Sequence, residues 1–132
     1  MKHVFLCFVL LFLGSTTAVW GETLSELQQR AESGDSDAQY DLAMRYWEGK
    51  EGAPKDDSKA FYWAKKAAEQ GNAYAQSWVG YFYENAYGTA RDFGEAAYWY
   101  RRSADQGNRF SQNNLGECYY YGRGVERNYE KA

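Results

Sequence analysis

The chain has 132 residues, a formal net charge of −3 and a hydrophobic content of 45%, which suits one domain. An acidic chain with no basic stripe has no general attraction for nucleic acid or anionic lipid, so we expect neither as a partner. Histidine occurs only at His3 and cysteine only at Cys7 and Cys118, which limits the catalytic chemistry available.

Residues 1–21 have the pattern of a cleavable signal peptide. Lys2 and His3 precede an almost entirely apolar run, residues 4–13, and small or polar residues follow it. The run is too short to span a bilayer, and the small residues suit a signal peptidase. We expect cleavage after Gly21, or alternatively after Ala18, and export as a periplasmic or secreted protein; an uncleaved membrane anchor is the remaining alternative. The cleaved chain would carry a charge of −4, because Lys2 leaves and all 18 acidic residues stay.

A repeating unit follows this leader. Gly34, Gly71 and Gly107 are 37 and 36 residues apart, and each is followed by Asp or Asn. Other columns keep the same register: Ala38, Ala75 and Ser111; Gln39, Gln76 and Gln112; Leu42, Val79 and Leu115; Tyr46, Tyr83 and Tyr119; Trp63 and Trp99. A fixed period of this length is the sequence signature of a stacked repeat protein.

Each column has a place in a pair of helices. A glycine followed by Asp or Asn ends one helix in the left-handed region and caps the next, so first helices should begin at about residues 35, 72 and 108. Within them Ala, then Leu or Val, then Tyr recur at i, i+4 and i+8 as a buried stripe. Asp56 and Asp92 should cap the second helices, Asp92 in a capping box with Glu95.

These elements predict an all-α fold, a right-handed α-solenoid of antiparallel helix pairs. Its expected parts are a leader (1–21), a capping helix (22–34), repeat 1 (35–71), repeat 2 (72–107) and an incomplete repeat 3 (108–132). The chain stops at Ala132, where a second helix should begin. We therefore expect either a fragment or an open C-terminal end at which another subunit, including a second copy, covers the apolar face.

Repeat 3 carries the most characteristic motifs: Ser111–Tyr119, Gly122–Val125 and Glu130–Ala132. These motifs resemble the Sel1-like repeat, a relative of the tetratricopeptide repeat, and the resemblance extends over the chain after Ser25. Repeat 1 departs from it in the loop of residues 50–55, and repeat 2 has Ala86 where a glycine is expected, so loop shape is where the units should differ. Some secreted relatives with a cysteine pair in each repeat are described as binding or slowly hydrolysing β-lactams. This chain lacks those pairs, so the resemblance does not carry that activity over.

The sequence after the leader predicts no catalytic, cofactor-binding or metal-binding residue. Without histidine, Ser-His-Asp and Cys-His arrangements cannot form, and zinc lacks both histidine and a second cysteine. The stretch Asp35–Gln39 starts like a calcium loop but lacks further ligands, and helix capping explains it better. The enzymatic alternative that stays open is a cell-wall-related hydrolase or ligand binder, acting on a β-lactam or a glycan through paired carboxylates.

The candidate binding face consists of first-helix residues opposite the buried stripe. Spaced i, i+4 and i+7, they are Asp37, Asp41 and Met44 in repeat 1, Tyr74, Trp78 and Tyr81 in repeat 2, and Phe110, Asn114 and Glu117 in repeat 3. We select Tyr74, Trp78, Tyr81, Phe110 and Asn114 as candidate partner-binding residues, because clustered aromatic side chains mark interaction hot spots. Packing between repeats is the alternative. The main hypothesis is an exported scaffold that holds a protein or peptide in its concave face.

Cys118 is the single cysteine left after cleavage, so an internal disulfide cannot form. We expect a half-buried free thiol that acts as a small hydrophobic group. The alternative is self-association through an intermolecular disulfide in an oxidising compartment.

Overall fold

A computed structural model describes residues 21–132 and folds them into six α-helices without strands. The helices are α1 (Leu24–Glu32), α2 (Ser36–Glu48), α3 (Asp57–Glu69), α4 (Ala73–Asn85), α5 (Phe93–Asp105) and α6 (Arg109–Tyr121). Each helix packs mainly against its neighbours in chain order. The predicted all-α solenoid is confirmed. The predicted leader lies outside the described residues, apart from Gly21.

The first helices are α2, α4 and α6, and their starts agree with the sequence prediction. Asp35, Asn72 and Asn108 are the N-caps, and each side chain accepts a hydrogen bond from a backbone amide in the first turn. The glycines before these caps have φ between 91° and 101°, a left-handed conformation that costs glycine little. Each second helix therefore turns directly into the next first helix.

The capping box predicted for Asp92 and Glu95 is wrong. The Asp92 carboxylate accepts from the Glu95 amide at 3.0 Å, but the Asp92 amide donates to the Tyr83 carbonyl, also at 3.0 Å. That amide is thus unavailable to the Glu95 side chain. A complete capping box occurs instead at the start of α1, between Thr23 and Glu26.

The loop that follows the first helix keeps its shape where the sequence departs from glycine. Ala86 has φ of 59°, close to the 68° of Gly49 and of Gly122 in the other two units. Alanine in this region costs about 1–2 kcal/mol, so the surrounding packing holds the turn in place.

Glycines allow close approach both within one unit and between successive units. A Cβ on Gly80 would lie 2.6 Å from the Tyr100 ring, so glycine makes room for this fully buried tyrosine of α5. A side chain on Gly88 would overlap the backbone of Asp57, and one on Gly124 would overlap the backbone of Phe93. Those two contacts join the loop of one unit to the start of the preceding second helix, at equivalent positions.

The buried stripe is present in each first helix, with differences at its end. Ala38, Leu42 and Tyr46 are all buried in α2, whereas Tyr83 in α4 is half-buried. In the second helices Trp99 is buried and Trp63 is half-buried. The first helix of repeat 1 is therefore more completely buried, because α1 packs against it.

Three tyrosines are exposed at the C-terminal end of the described chain: Tyr120 and Tyr121 at the end of α6, and Tyr129 after it. Tyr120 lies 4.9 Å from Tyr121 and 5.3 Å from Tyr129, measured between ring centroids. Asn128 accepts hydrogen bonds from the amides of Glu130 and Lys131. These bonds resemble the N-cap contacts made by Asp56 and Asp92.

A chain of glutamine side chains joins the units. Gln39 donates to the Ala31 carbonyl at 3.0 Å and accepts from Gln70 at 2.7 Å. One unit later, Gln76 donates to the Ala68 carbonyl at 3.1 Å and accepts from Gln106 at 2.8 Å. We call these four residues the glutamine ladder. Each rung ties a first helix to the end of the preceding second helix and to the end of its own partner helix.

Replacing Gln76 by methionine should lower the free energy of unfolding by about 1–3 kcal/mol, because two hydrogen bonds are lost while side-chain volume is nearly kept. The Ala68 carbonyl would keep its bond from the Gly71 amide, and the Gln106 amide would lose its acceptor. Gln112→Met is the matched control, since Gln112 is exposed and makes one bond of 3.3 Å to Ala104. Urea unfolding followed by circular dichroism measures both. Equal effects of the two substitutions would contradict a structural role for the ladder.

Candidate functional site

An aromatic groove crosses the face formed by the first helices. It has a volume of about 500 Å³ and draws its lining from all three of them. The lining residues are Trp47 of α2, Tyr74, Ser77, Trp78 and Tyr81 of α4, and Asn108 and Phe110 at the start of α6. A concave, largely apolar site with a few polar groups is the usual form of a binding pocket.

The floor of the groove is a tightly packed aromatic cluster. The Trp47 ring centroid lies 5.8 Å from that of Trp78 and 5.1 Å from that of Phe82. Tyr87 lies 5.0 Å from Trp47 and 5.8 Å from Tyr81. Phe82 is fully buried, so the cluster continues into the hydrophobic core. The floor is consequently held by the same packing that holds the fold.

Four of the five candidate residues from the sequence lie in this groove. Tyr74 and Phe110, near the starts of α4 and α6, are 65% and 51% exposed at its rim. Trp78 and Tyr81 are half-buried in the floor. Asn114 lies apart from the groove, beside the Tyr100 hydroxyl of α5, to which it is hydrogen-bonded. Packing between units and exposure to solvent thus occur in the same stripe.

The groove also contains three residues that the sequence pattern did not predict as binding residues: Trp47, Ser77 and Asn108. Trp47 follows Met44 by three positions, so extending the selected stripe of repeat 1 by one helical turn would have reached it. Its equivalent in repeat 2 is Glu84, and a column with such different members gives no repeat signal. Asn108 was assigned only its capping role, which it does perform.

Tyrosines in and beside the groove are kept neutral. Burial raises the pKa of Tyr40, a neighbour of Tyr74 at 6.1 Å, and a hydrogen bond with Trp78 offsets part of this rise. Burial also raises the pKa of Tyr81, with added effects of Tyr87 and Glu84. These hydroxyl groups therefore serve as hydrogen-bonding groups and not as anions at neutral pH.

Two carboxylates lie one unit before the groove-lining aromatic residues, at the equivalent repeat positions. Asp37 and Asp41 on α2 occupy the repeat positions held in α4 by Tyr74 and Trp78. Burial, followed by the charge of Asp37, raises the pKa of Asp41. Among residues 21–132 neither carboxylate forms an ion pair. We call these two residues the acidic pair.

The arginines nearest to the acidic pair are bound elsewhere. Arg30 forms ion pairs of 2.8 Å with both Glu22 and Asp35. Arg45 pairs with Glu51 at 2.9 Å and donates to the Glu22 carbonyl at 3.2 Å. Their remaining attraction lowers the pKa of Asp41 only in part.

Cys118 is more deeply buried than expected, with 3% of its surface exposed. Burial, together with the charge of Glu84, raises the pKa of its thiol to about 11. The expectation of a half-buried thiol is therefore wrong, because α6 turns this residue towards α5 and Tyr100. An intermolecular disulfide would require α6 to open locally.

We expect native Cys118 to react with a thiol reagent such as DTNB at pH 8 at least about 100-fold more slowly than in denatured protein, because a pKa about two units higher lowers the thiolate fraction by that factor. Absorbance at the thiolate product's band measures the rate. Rapid native labelling, or a dimer band on a non-reducing gel, would contradict this burial.

Two further features of the described part of the chain concern metal binding and membrane insertion. Residues 21–132 contain no group of three or more His, Cys, Asp or Glu side chains placed to hold a metal ion. Among the helices of the same residues, none is long and apolar enough to cross a membrane.

Paired helices in tandem, with an aromatic groove on one face, define an α-solenoid repeat scaffold. Comparison with known families gives the particular class: the profile described as "Sel1 repeat" matches residues 36–72, 73–108 and 109–132. The chain belongs to the Sel1 repeat family, whose repeats are in general non-catalytic scaffolds that mediate protein–protein interaction.

Similar proteins come from bacteria and yeast. A crystal structure of a Sel1 repeat protein from Oxalobacter formigenes has a TM-score of 0.76 and 34% identity, covering 80% of this chain and 43% of that one. The structure of c5321, a protective antigen of uropathogenic Escherichia coli strains with an SLR fold, has a TM-score of 0.60 and 30% identity, covering 84% of this chain and 31% of that one. The chitin synthase regulator SKT5 of Saccharomyces cerevisiae is 47% identical over 58 residues, which are 43% of this chain and 8% of the yeast protein. This chain thus spans less than half of each relative.

Proposed function

We propose that this chain is an exported Sel1 repeat scaffold that holds a protein or peptide in its aromatic groove. The observation that carries the proposal is the groove itself: exposed Tyr74 and Phe110 line it together with a floor fixed by core packing. Rigid aromatic side chains supply contact area at a small cost in conformational entropy. The scaffold role of the family supports the same conclusion.

The groove has features of an interaction hot spot. Aromatic residues clustered at the centre of an interface contribute most of the binding free energy. Here Trp78 and Tyr81 also contact Phe82, so removing either would disturb the core as well as the groove. The rim residues are the better probes, because their substitution changes the surface and leaves the floor packed.

The double variant Tyr74→Ala, Phe110→Ala should weaken partner capture about 30-fold or more, since loss of a hot-spot aromatic costs about 2 kcal/mol or more. Capture by the tagged protein from the compartment in which it resides, followed by a binding titration with the recovered partner, measures this. The matched control is Tyr62→Ala, Tyr98→Ala. Both control tyrosines are 53% exposed and lie on second helices, outside the groove.

Loss of capture in the rim variant with retention in the control would support the groove as the binding site. Equal capture by wild type and the rim variant would overturn it. Circular dichroism establishes that both double variants keep the helical fold, which we expect because all four side chains are largely exposed.

Export is the second part of the proposal, and the pattern of residues 1–21 supports it. Glu22 already belongs to the folded domain: its carboxylate pairs with Arg30 and its carbonyl accepts from Arg45. Cleavage after Gly21 would leave these contacts intact, whereas the alternative site after Ala18 would leave three additional residues.

Expression of the full chain in a Gram-negative bacterium should therefore place it in the periplasm with a mature N-terminus at Glu22. Cell fractionation and intact-protein mass measurement test both points. An N-terminus at Val19 would support the alternative cleavage site. An uncleaved chain in the cytoplasm or in the membrane fraction would contradict export by this route.

A further inference from the structure

The two non-aromatic side chains of the groove already form hydrogen bonds within the chain. The Ser77 hydroxyl donates to the Tyr74 carbonyl at 2.7 Å. The Asn108 side-chain oxygen accepts from the Ser111 amide at 2.9 Å. Because these groups are already bonded, the groove itself selects mainly for an apolar or aromatic side chain, and selection by charge has to come from its surroundings.

The acidic pair provides that charge. Asp37 and Asp41 lie four residues apart on one face of α2, so their side chains are neighbours. They occupy the columns of Tyr74 and Trp78 one unit earlier along the solenoid. The ring contacts between Tyr40 and Tyr74 and between Trp47 and Trp78 show that α2 and α4 lie side by side here, with Tyr40, the neighbour of Asp41 in the chain, against Tyr74 of the groove. The surface therefore changes from anionic to aromatic within one helix spacing.

Cations within residues 21–132 form no ion pair with these two carboxylates. Arg30 and Arg45 are engaged with Glu22, Asp35 and Glu51, as described above. Lys55 stacks on the groove residue Trp47 at 4.1 Å and pairs with Asp57 at 3.0 Å. Two adjacent carboxylates without a counter-charge repel each other, and a cation from a partner would relieve that repulsion.

We propose that the partner is an extended protein segment that places an aromatic side chain in the groove and a lysine or arginine against Asp37 and Asp41. Adjacent helices lie about 8–10 Å apart, and an extended segment of polyproline II geometry rises about 3.1 Å per residue with three residues per turn, so that residues i and i+3 face the same side. The basic residue should therefore stand about three positions from the aromatic one. This inference rests on the proposed function and names the class of partner that the groove accepts.

The experiment uses the mature protein and fluorescein-labelled peptides in a Gly–Ser background, read by fluorescence anisotropy. One peptide carries arginine three positions from a tryptophan, in both chain directions. A second has glutamate in place of the arginine, and a third has the arginine directly next to the tryptophan. At low salt the first peptide should bind about five- to tenfold more tightly than the other two. That preference should shrink at about 0.5 M salt, where charges are screened within a few ångströms.

Two double variants with equal charge change identify the source of the preference. Asp37→Asn, Asp41→Asn should abolish the advantage of the arginine peptide and leave the weaker binding of the tryptophan. Glu95→Gln, Asp105→Asn should keep the advantage, because both control residues are exposed on α5, which contributes nothing to the groove. Asp41→Asn alone should reduce the advantage in part, and serves if the double variant unfolds.

The outcomes separate this inference from the proposed function. One outcome is binding that does not depend on the charge of the peptide but is lost in the double variant Tyr74→Ala, Phe110→Ala. That result would support the groove as the binding site and would overturn the acidic pair as a recognition element. Equal loss of the preference in both charge-neutralising double variants would overturn it too, since overall charge would then be the cause. Failure of every peptide to bind wild type would overturn the inference, and partner capture by the rim variant would still decide the proposed function.

Discussion

The glutamine ladder is the contact on which the rest of the molecule depends. Gln39 and Gln76 are buried, and each satisfies a carbonyl at the end of the preceding second helix while accepting from the end of its own partner helix. A buried polar group that loses its partner costs more than a typical hydrogen bond contributes. Successive units are thereby held in one relative position. Surface residues in one column then line up along the solenoid, and a continuous face becomes possible.

Within each repeat, one set of positions forms the packed scaffold and another set forms the exposed surface. Positions that recur, such as Ala38, Leu42 and Tyr46 with their equivalents, carry the packing. The column of Asp37, Tyr74 and Phe110 varies freely because its side chains leave the helix opposite the buried stripe. Stability is close to a sum over units and their interfaces in such proteins. A variable column can therefore acquire binding chemistry without a large penalty in folding.

The fold could be predicted from the sequence because its determinants are local and repeated. Glycine followed by Asp or Asn, three times at one period, fixed where α2, α4 and α6 begin. The groove could be predicted only in part, since its shape depends on side chains from neighbouring units. Trp47 shows this: its column gives no repeat signal, and only the contact with Trp78 and Phe82 reveals its role. The failed capping box has a similar cause, because the Tyr83 carbonyl that takes the Asp92 amide is nine residues distant.

Packing and binding, the two interpretations of the aromatic stripe, are not exclusive in this structure. Trp78 and Tyr81 pack against Phe82 and are thereby held in place, while Tyr74 and Phe110 project into solvent from the rim. A surface whose rotamers are already fixed loses less entropy when a partner binds. Under the proposed function, the floor serves recognition through its packing, because contacts that stabilise the helix stack also fix the shape of the groove.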